Sequence, residues 1–72
     1  MDSKSRVLID YIKVKYYCKK QRLTIAELAD KLGVARQTIR SWSVKNTSIV
    51  NAWRLEDVLE VKTNEIFTIV EQ

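Results

Sequence analysis

The stretch Thr24-Ile25-Ala26-Glu27-Leu28-Ala29-Asp30-Lys31-Leu32-Gly33-Val34-Ala35-Arg36-Gln37-Thr38-Ile39-Arg40-Ser41-Trp42-Ser43 decides the reading of this 72-residue chain. Thr24 is a favourable N-cap for a helix beginning at Ile25. Glu27, three residues on, completes a Thr-x-x-Glu capping box in which each side chain satisfies an orphan backbone N–H of the first turn. Ile25, Leu28, Ala29 and Leu32 follow at i, i+3, i+4, i+7, an apolar stripe that stops at Gly33, the only glycine in the sequence. Glycine enters the left-handed conformation without a Cβ penalty, so its place just past the stripe reads as a C-cap and a sharp turn. A second short helix is expected over about Arg36 to Trp42, with Ile39 and Trp42 turned inward and Val34 filling the corner. Two helices joined this tightly make a helix-turn-helix by spacing alone, over about residues 24–43.

The outward side of the second helix then holds Arg36, Gln37, Thr38, Arg40 and Ser41, polar donors with no acid among them. These residue types read base edges. Arginine contacts guanine O6 and N7 bidentately, glutamine does the same with adenine N6 and N7, and Thr38 and Ser41 can reach a base edge or a phosphate. The helix N-terminus turns its positive dipole end toward phosphate. The competing reading is an ordinary αα corner whose polar face meets only water. The conjunction of capping box, single glycine, Ile39 and Trp42 packing and acid-free outer face favours the groove-reading one.

Working outward, the chain is short enough to be one domain, residues 1–72, and a chain of this size buries only about 60% of the surface its unfolded form exposes. A large enclosed active site is excluded. Proline is absent and 46% of residues are apolar, so few turns are available and an all-α fold is expected. Cys18 is the single cysteine and histidine is absent, which points to a reducing compartment, no zinc site, no cofactor and a cytoplasmic location. No apolar run approaches the ~20 residues of a membrane span. An enzyme is excluded on inventory, because no nucleophile and base can be paired and Glu56 and Glu60 read as an unenclosed i, i+4 pair on a helix surface. No small-molecule substrate is expected.

Net charge is +4, unevenly spread: residues 1–22 carry seven Lys/Arg against two acids, whereas residues 46–72 carry two against five. A basic half suits a polyanion such as nucleic acid, although solvated helix faces give the same count. The first helix is expected from about Ser5 to Gln21, with Val7, Tyr11, Val14 and Cys18 on its core face. Leu8, Ile9, Ile12 and Tyr16 make a second apolar stripe on the other side, which means burial on both faces or contact with another chain. Tyr11, Tyr16 and Tyr17 are either core aromatics or a stacking platform for single-stranded bases. Trp53 falls at core spacing with Ile49 and Ala52. The tail Phe67-Thr68-Ile69-Val70 either packs Phe67 and Ile69 onto the core or forms an intermolecular strand.

The run Leu23 to Ile39 resembles the Cro and phage-repressor type of helix-turn-helix regulator, also called the XRE-like family. Its Leu-Thr opening, acidic residue, Leu-Ala, Leu-Gly-Val and polar start of the next helix match that family's pattern. The likeness continues through a helix at Ser48 to Leu59 and through Val61-Lys62-Thr63-Asn64-Glu65-Ile66-Phe67, which looks like the family's short last helix, so that about residues 7 to 67 are covered. The resemblance implies a compact five-helix, lambda-repressor-like domain that inserts the helix beginning at Arg36 into the major groove of a double-stranded operator, usually as a homodimer. It implies base contacts from Arg36, Gln37 and Ser41, base-edge or phosphate contacts from Thr38 and Arg40, and backbone contacts from Lys45 and Asn46. It further implies a small phage or prophage switch regulator. The chain departs from the pattern in several places. Ile25 stands where a phosphate-gripping glutamine is frequent, Ala35 where Ser or Thr caps the recognition helix, and Lys45 where glycine is common, leaving Asn46 as the expected left-handed residue. Glu56 and Glu60 replace small residues. A second reading gives the acidic third a partner. Glu56, Asp57, Glu60 and Glu65, with Leu8 and Ile12 as spare apolar surface, would bind the basic DNA-facing side of a larger repressor, making the chain an antirepressor.

Overall fold

The computed structural model describes residues 4–62 and 64–71. Strand β1 (Arg6–Ile9) leads into α1 (Tyr11–Lys20), followed by α2 (Ile25–Leu32), α3 (Arg36–Ser41), β2 (Thr47–Ser48), α4 (Ile49–Leu59) and β3 (Phe67–Glu71). The all-α, five-helix expectation is thereby corrected. Among the described residues there are four helices and one three-stranded antiparallel sheet in the order β2-β1-β3.

The expected first helix from Ser5 divides at Asp10. Residues 6–9 alternate half-buried and buried, the period-two pattern of a strand with one face on the core, and Val7 and Ile9 are 0% and 3% exposed. Asp10, in extended conformation, accepts a hydrogen bond from the Lys13 N–H at 3.2 Å and so caps α1. The cap ends the strand and starts the helix one residue later. The Val7, Tyr11, Val14, Cys18 stripe therefore mixes strand and helix, although Val14 and Cys18 are buried as read. Leu8 is half-buried on β1 rather than on a second helix face.

The tail forms its ladder within the chain. Ile9 faces Phe67, Leu8 faces Thr68 and Val7 faces Ile69. The expected short last helix at residues 61–67 is absent among the described residues, Thr63 lying outside them. Asn64, at φ 68°, turns the chain from α4 toward β3. Asp10 N–H donates to the Ile66 carbonyl at 2.7 Å and Ile9 N–H to the Trp42 carbonyl at 3.0 Å, which ties the end of β1 to both the C-terminal segment and the end of α3.

Helix ends are closed from neighbouring elements. The Arg54 guanidinium donates to the Leu32 carbonyl at the end of α2, and the Gln21 amide to the Leu59 carbonyl at the end of α4. Such carbonyls have no partner inside their own helix, so these side chains both satisfy them and lock α4 onto α2 and α1. The core beneath is built by Val7, Val14, Leu28, Ile39, Ile49, Leu55 and Ile66, each 0% exposed. Each such side chain contributes about 1.5–3 kcal/mol on burial. Burial also pushes the Cys18 thiol pKa up, so the group stays protonated and packs as a small hydrophobe.

Candidate nucleic-acid interface

Residues 24–43 fold by the local chemistry their sequence carries. Thr24 Oγ1 accepts from the Glu27 N–H, and Glu27 Oε1 accepts from the Thr24 N–H, both at 3.0 Å, so the capping box is complete. Gly33 sits at φ 72° as the C-cap of α2, and the chain turns there into α3. Leu28, Ala29 and Leu32 are buried, with Ile25 and Val34 half-buried against them. Ile39 and Trp42, 0% and 7% exposed, pin α3 onto this base. Ala35 is the N-cap of α3 and supplies no side-chain hydrogen bond.

With its inner face fixed, α3 presents Arg36, Gln37, Arg40 and Ser41 to solvent and leaves Thr38 half-buried. Arg36, Gln37 and Arg40 line one cleft, whose other walls are Tyr11 from α1 and Ile25 from α2. Ser41 Oγ donates to the Thr38 carbonyl at 2.7 Å, so its proton is used within the helix and its oxygen is left as an acceptor. An amide or amino donor suits it better than a phosphate does.

The loop after α3 is built differently from expectation. Asn46 is not left-handed: among the described non-glycine residues the positive φ values belong to Arg22, Glu60 and Asn64. Successive turns, closed by Val44 N–H to the Ser41 carbonyl at 3.0 Å and Lys45 N–H to the same carbonyl at 2.7 Å, carry the chain round instead. Arg6 of β1 then braces the loop, donating from Nε to Asn46 Oδ1 at 2.9 Å and from Nη2 to the Asn46 carbonyl at 3.0 Å. Lys45 and Asn46 are both exposed beside α3. Arg6, forty positions earlier, gives no sequence signal of this contact, and Tyr11 was read as core or stacking surface rather than as a wall of the cleft.

The acidic residues do not form one outward face. Glu56 is 6% exposed, its carboxylate takes the backbone N–H groups of Asn64 and Glu65, and its Oε2 has no hydrogen-bond partner. Burial pushes its pKa up and the nearby Glu65 carboxylate adds to that, while the two N–H bonds pull it back. The reading of Glu56 and Glu60 as a surface pair is thus corrected, because Glu60 caps α4 in the left-handed conformation and Glu56 points inward. Asp57 is exposed, and half-buried Glu65 accepts from the Tyr17 hydroxyl at 3.4 Å. Ile12 is 76% and Tyr16 55% exposed on α1, so the second apolar stripe splits into two strand residues, half-buried Leu8 and buried Ile9, and an open helix face. Among the described residues no cluster of His, Cys, Asp or Glu is arranged to hold a metal.

Residues 14–66 match the model of the helix-turn-helix family. The chain belongs to that family. It is a helix-turn-helix domain of the XRE type, a class of DNA-binding transcription regulators that is generally non-enzymatic. No curated protein and no solved structure matches the chain. The family match begins inside α1 and ends just before β3, so strands β1 and β3 lie outside it. No helix among the described residues is long and apolar enough to cross a membrane.

Proposed function

We propose that the protein is a Cro-like, sequence-specific transcriptional repressor of a phage or prophage switch, reading operator DNA with α3. The observation that carries this is the cleft face of α3, where Arg36, Gln37 and Arg40 converge without an acid while Ile39 and Trp42 hold the helix rigidly from behind. Arg36 and Gln37 read base edges, Arg40 and Thr38 serve base edges or phosphates, and Ser41 accepts a hydrogen bond from a base amino group. Lys45 and Asn46 hold the phosphate backbone from the braced loop. Regulation comes from concentration and from pairing of two copies on a palindromic site, since two recognition helices one turn of DNA apart are needed to span it. The antirepressor reading keeps the exposed Ile12 but loses Glu56 to the interior and Leu8 to half-burial on β1.

Selection from a random double-stranded library at physiological salt tests the proposal. A site bound with a dissociation constant of about 10⁻⁸–10⁻¹¹ M is expected. On that site Arg36→Ala and Gln37→Ala each cost about 1–3 kcal/mol and relax preference at the base contacted. A library that yields no enriched site, or variants that bind as the wild type does, would remove the recognition-helix assignment.

A further inference from the structure

A DNA-reading helix needs a phosphate hold on its flank, and the N-terminus of α2 is poorly suited to that work. Its capping box consumes the Thr24 and Glu27 N–H groups and places the Glu27 carboxylate over the helix end. The hydrogen bonds from Thr24 hold that carboxyl below the usual glutamate range, so it is fully charged at neutral pH. A phosphate arriving there meets a negative charge. Ile25, the first residue of α2, lines the cleft as an apolar wall, and its side chain offers no donor.

Across the cleft the charge is reversed. Helix α1 contains no acid over its ten residues and exposes Lys13, Lys15, Lys19 and Lys20; the acid preceding it is Asp10, whose Oδ1 is taken up in capping the helix, and Glu65 meets its other end at Tyr17. Tyr11 and Lys15 lie one turn apart on the same face. The Lys15 ammonium stands over the Tyr11 ring, 5.5 Å from its centroid, and the ring itself packs against the core while lining the same cleft as Arg36, Gln37 and Arg40. A ring anchored in this way restricts the lysine above it, so less side-chain entropy is lost when an anion binds.

We infer that Tyr11 and Lys15 form the phosphate hold of this protein, gripping the DNA strand that borders the groove read by α3, in place of the self-capped end of α2. Lys15 supplies the charge and Tyr11 is its positioning residue. The inference rests on the reading of α3 as the DNA-contacting helix.

The test uses the full chain on two duplexes of equal length, the selected operator and a scrambled sequence, titrated across 50–300 mM salt at steps set by the expected phosphate dependence, with ~0.15 M as the reference point. Lys15→Gln, an exposed substitution, is expected to weaken both duplexes by the same factor, about three- to tenfold, and to lower the log–log salt slope by about 0.9. Tyr11→Leu keeps the lysine but removes its platform and is expected to give a smaller loss with the slope unchanged. Lys13→Gln, an exposed position on the opposite face of the same helix, is expected to leave affinity within about twofold of wild type. If Lys15→Gln binds both duplexes with wild-type affinity and slope while Arg36→Ala abolishes operator preference, the phosphate hold is refuted and the reading of α3 stands. An equal loss in Lys13→Gln refutes it too, because the effect is then general charge. Failure of the wild type to retain either duplex at any salt overturns both.

Discussion

Within residues 24–43 the bonds that set the backbone join near neighbours: Thr24 with Glu27, Gly33 with Asp30, Val34 with Ala29, Trp42 with Ile39. The sheet is held by the opposite kind of contact. Arg6 pairs with Ser48 on one side and Glu71 on the other, and Val7 with Thr47 and Ile69. The first region is built from signals that act over one turn of helix, whereas the second exists only once the two ends of the chain meet. Closing a loop of some sixty residues costs entropy before any contact compensates it, and the compensation comes from core burial rather than from strand propensity. The candidate surface belongs to the first region and its rigidity to the second. Arg6, a sheet residue, braces the loop bearing Asn46, and the end of β1 is bonded to Trp42 at the end of α3.

The comparison predicts that damage to the sheet is global and damage to the helix-turn-helix local. Phe67→Ala, at a position 7% exposed and paired with Ile9, should cost about 3–5 kcal/mol, a large share of a stability of about 5–15 kcal/mol. Thermal unfolding followed at the helical signal should then shift as a single transition. If only the β3 amides lose protection while the helices melt as before, the strand is an appendage. Gly33→Ala tests the turn next. A Cβ there meets no atom within 4 Å, so the cost is the backbone strain at φ 72° alone, about 1–2 kcal/mol by urea titration. A cost near that of Phe67→Ala would mean a contact unrelated to φ.

Thr24→Ala removes one half of the capping box and should cost about 1 kcal/mol. Hydrogen exchange should show the loss concentrated in the first turn of α2; uniform loss through the sheet would break the distinction between regions. The smallest effect is expected at Glu56, where its size depends on pH. Its folded pKa is raised by burial, so the folded chain binds the proton more tightly than the unfolded one, and the stability linked to that proton is present at low pH and fades as pH rises through the raised value. Glu27 runs the other way, its contribution being present above the ordinary glutamate range and fading as pH falls through its lowered value. Glu56→Gln keeps an acceptor for the Asn64 and Glu65 N–H groups without the buried charge, so its melting temperature should gain on wild type more at pH 7 than at pH 4. A gain that shrinks with rising pH would contradict the buried, pKa-raised carboxylate.

The candidate site was legible in the sequence to the extent that it is local. Thr24, Glu27 and Gly33 give the boundaries of α2, and the i, i+3 spacing of Ile39 and Trp42 gives the outward face of α3 without any knowledge of the rest of the chain. Asp10 was legible in principle as a cap, but Val7, Tyr11 and Val14 satisfy a helical spacing as well as Val7 and Ile9 satisfy a strand's, and four residues are too few to separate the periods. Glu65-Ile66-Phe67 was read by family resemblance as the end of a helix, whereas the ladder with β1 draws Phe67 into a strand. Glu56 shows the same limit. A glutamate at helical spacing reads as a surface group until a loop folds over it and donates two N–H bonds.

Sequence alone determined the helix-turn-helix, its turn at Gly33 and the acid-free face of α3, because caps, left-handed glycine and helical periodicity act between residues at most a few positions apart. Tertiary structure decided that the chain's two ends pair as a sheet, that Arg6 braces the Asn46 loop, that Glu56 turns inward and that Tyr11, under Lys15, faces α3 across one cleft. Apart from those of Glu56, whose partners Asn64 and Glu65 follow within one loop, these contacts join positions about 25 to 65 apart, where no local propensity carries information and burial of the shared core selects the pairing.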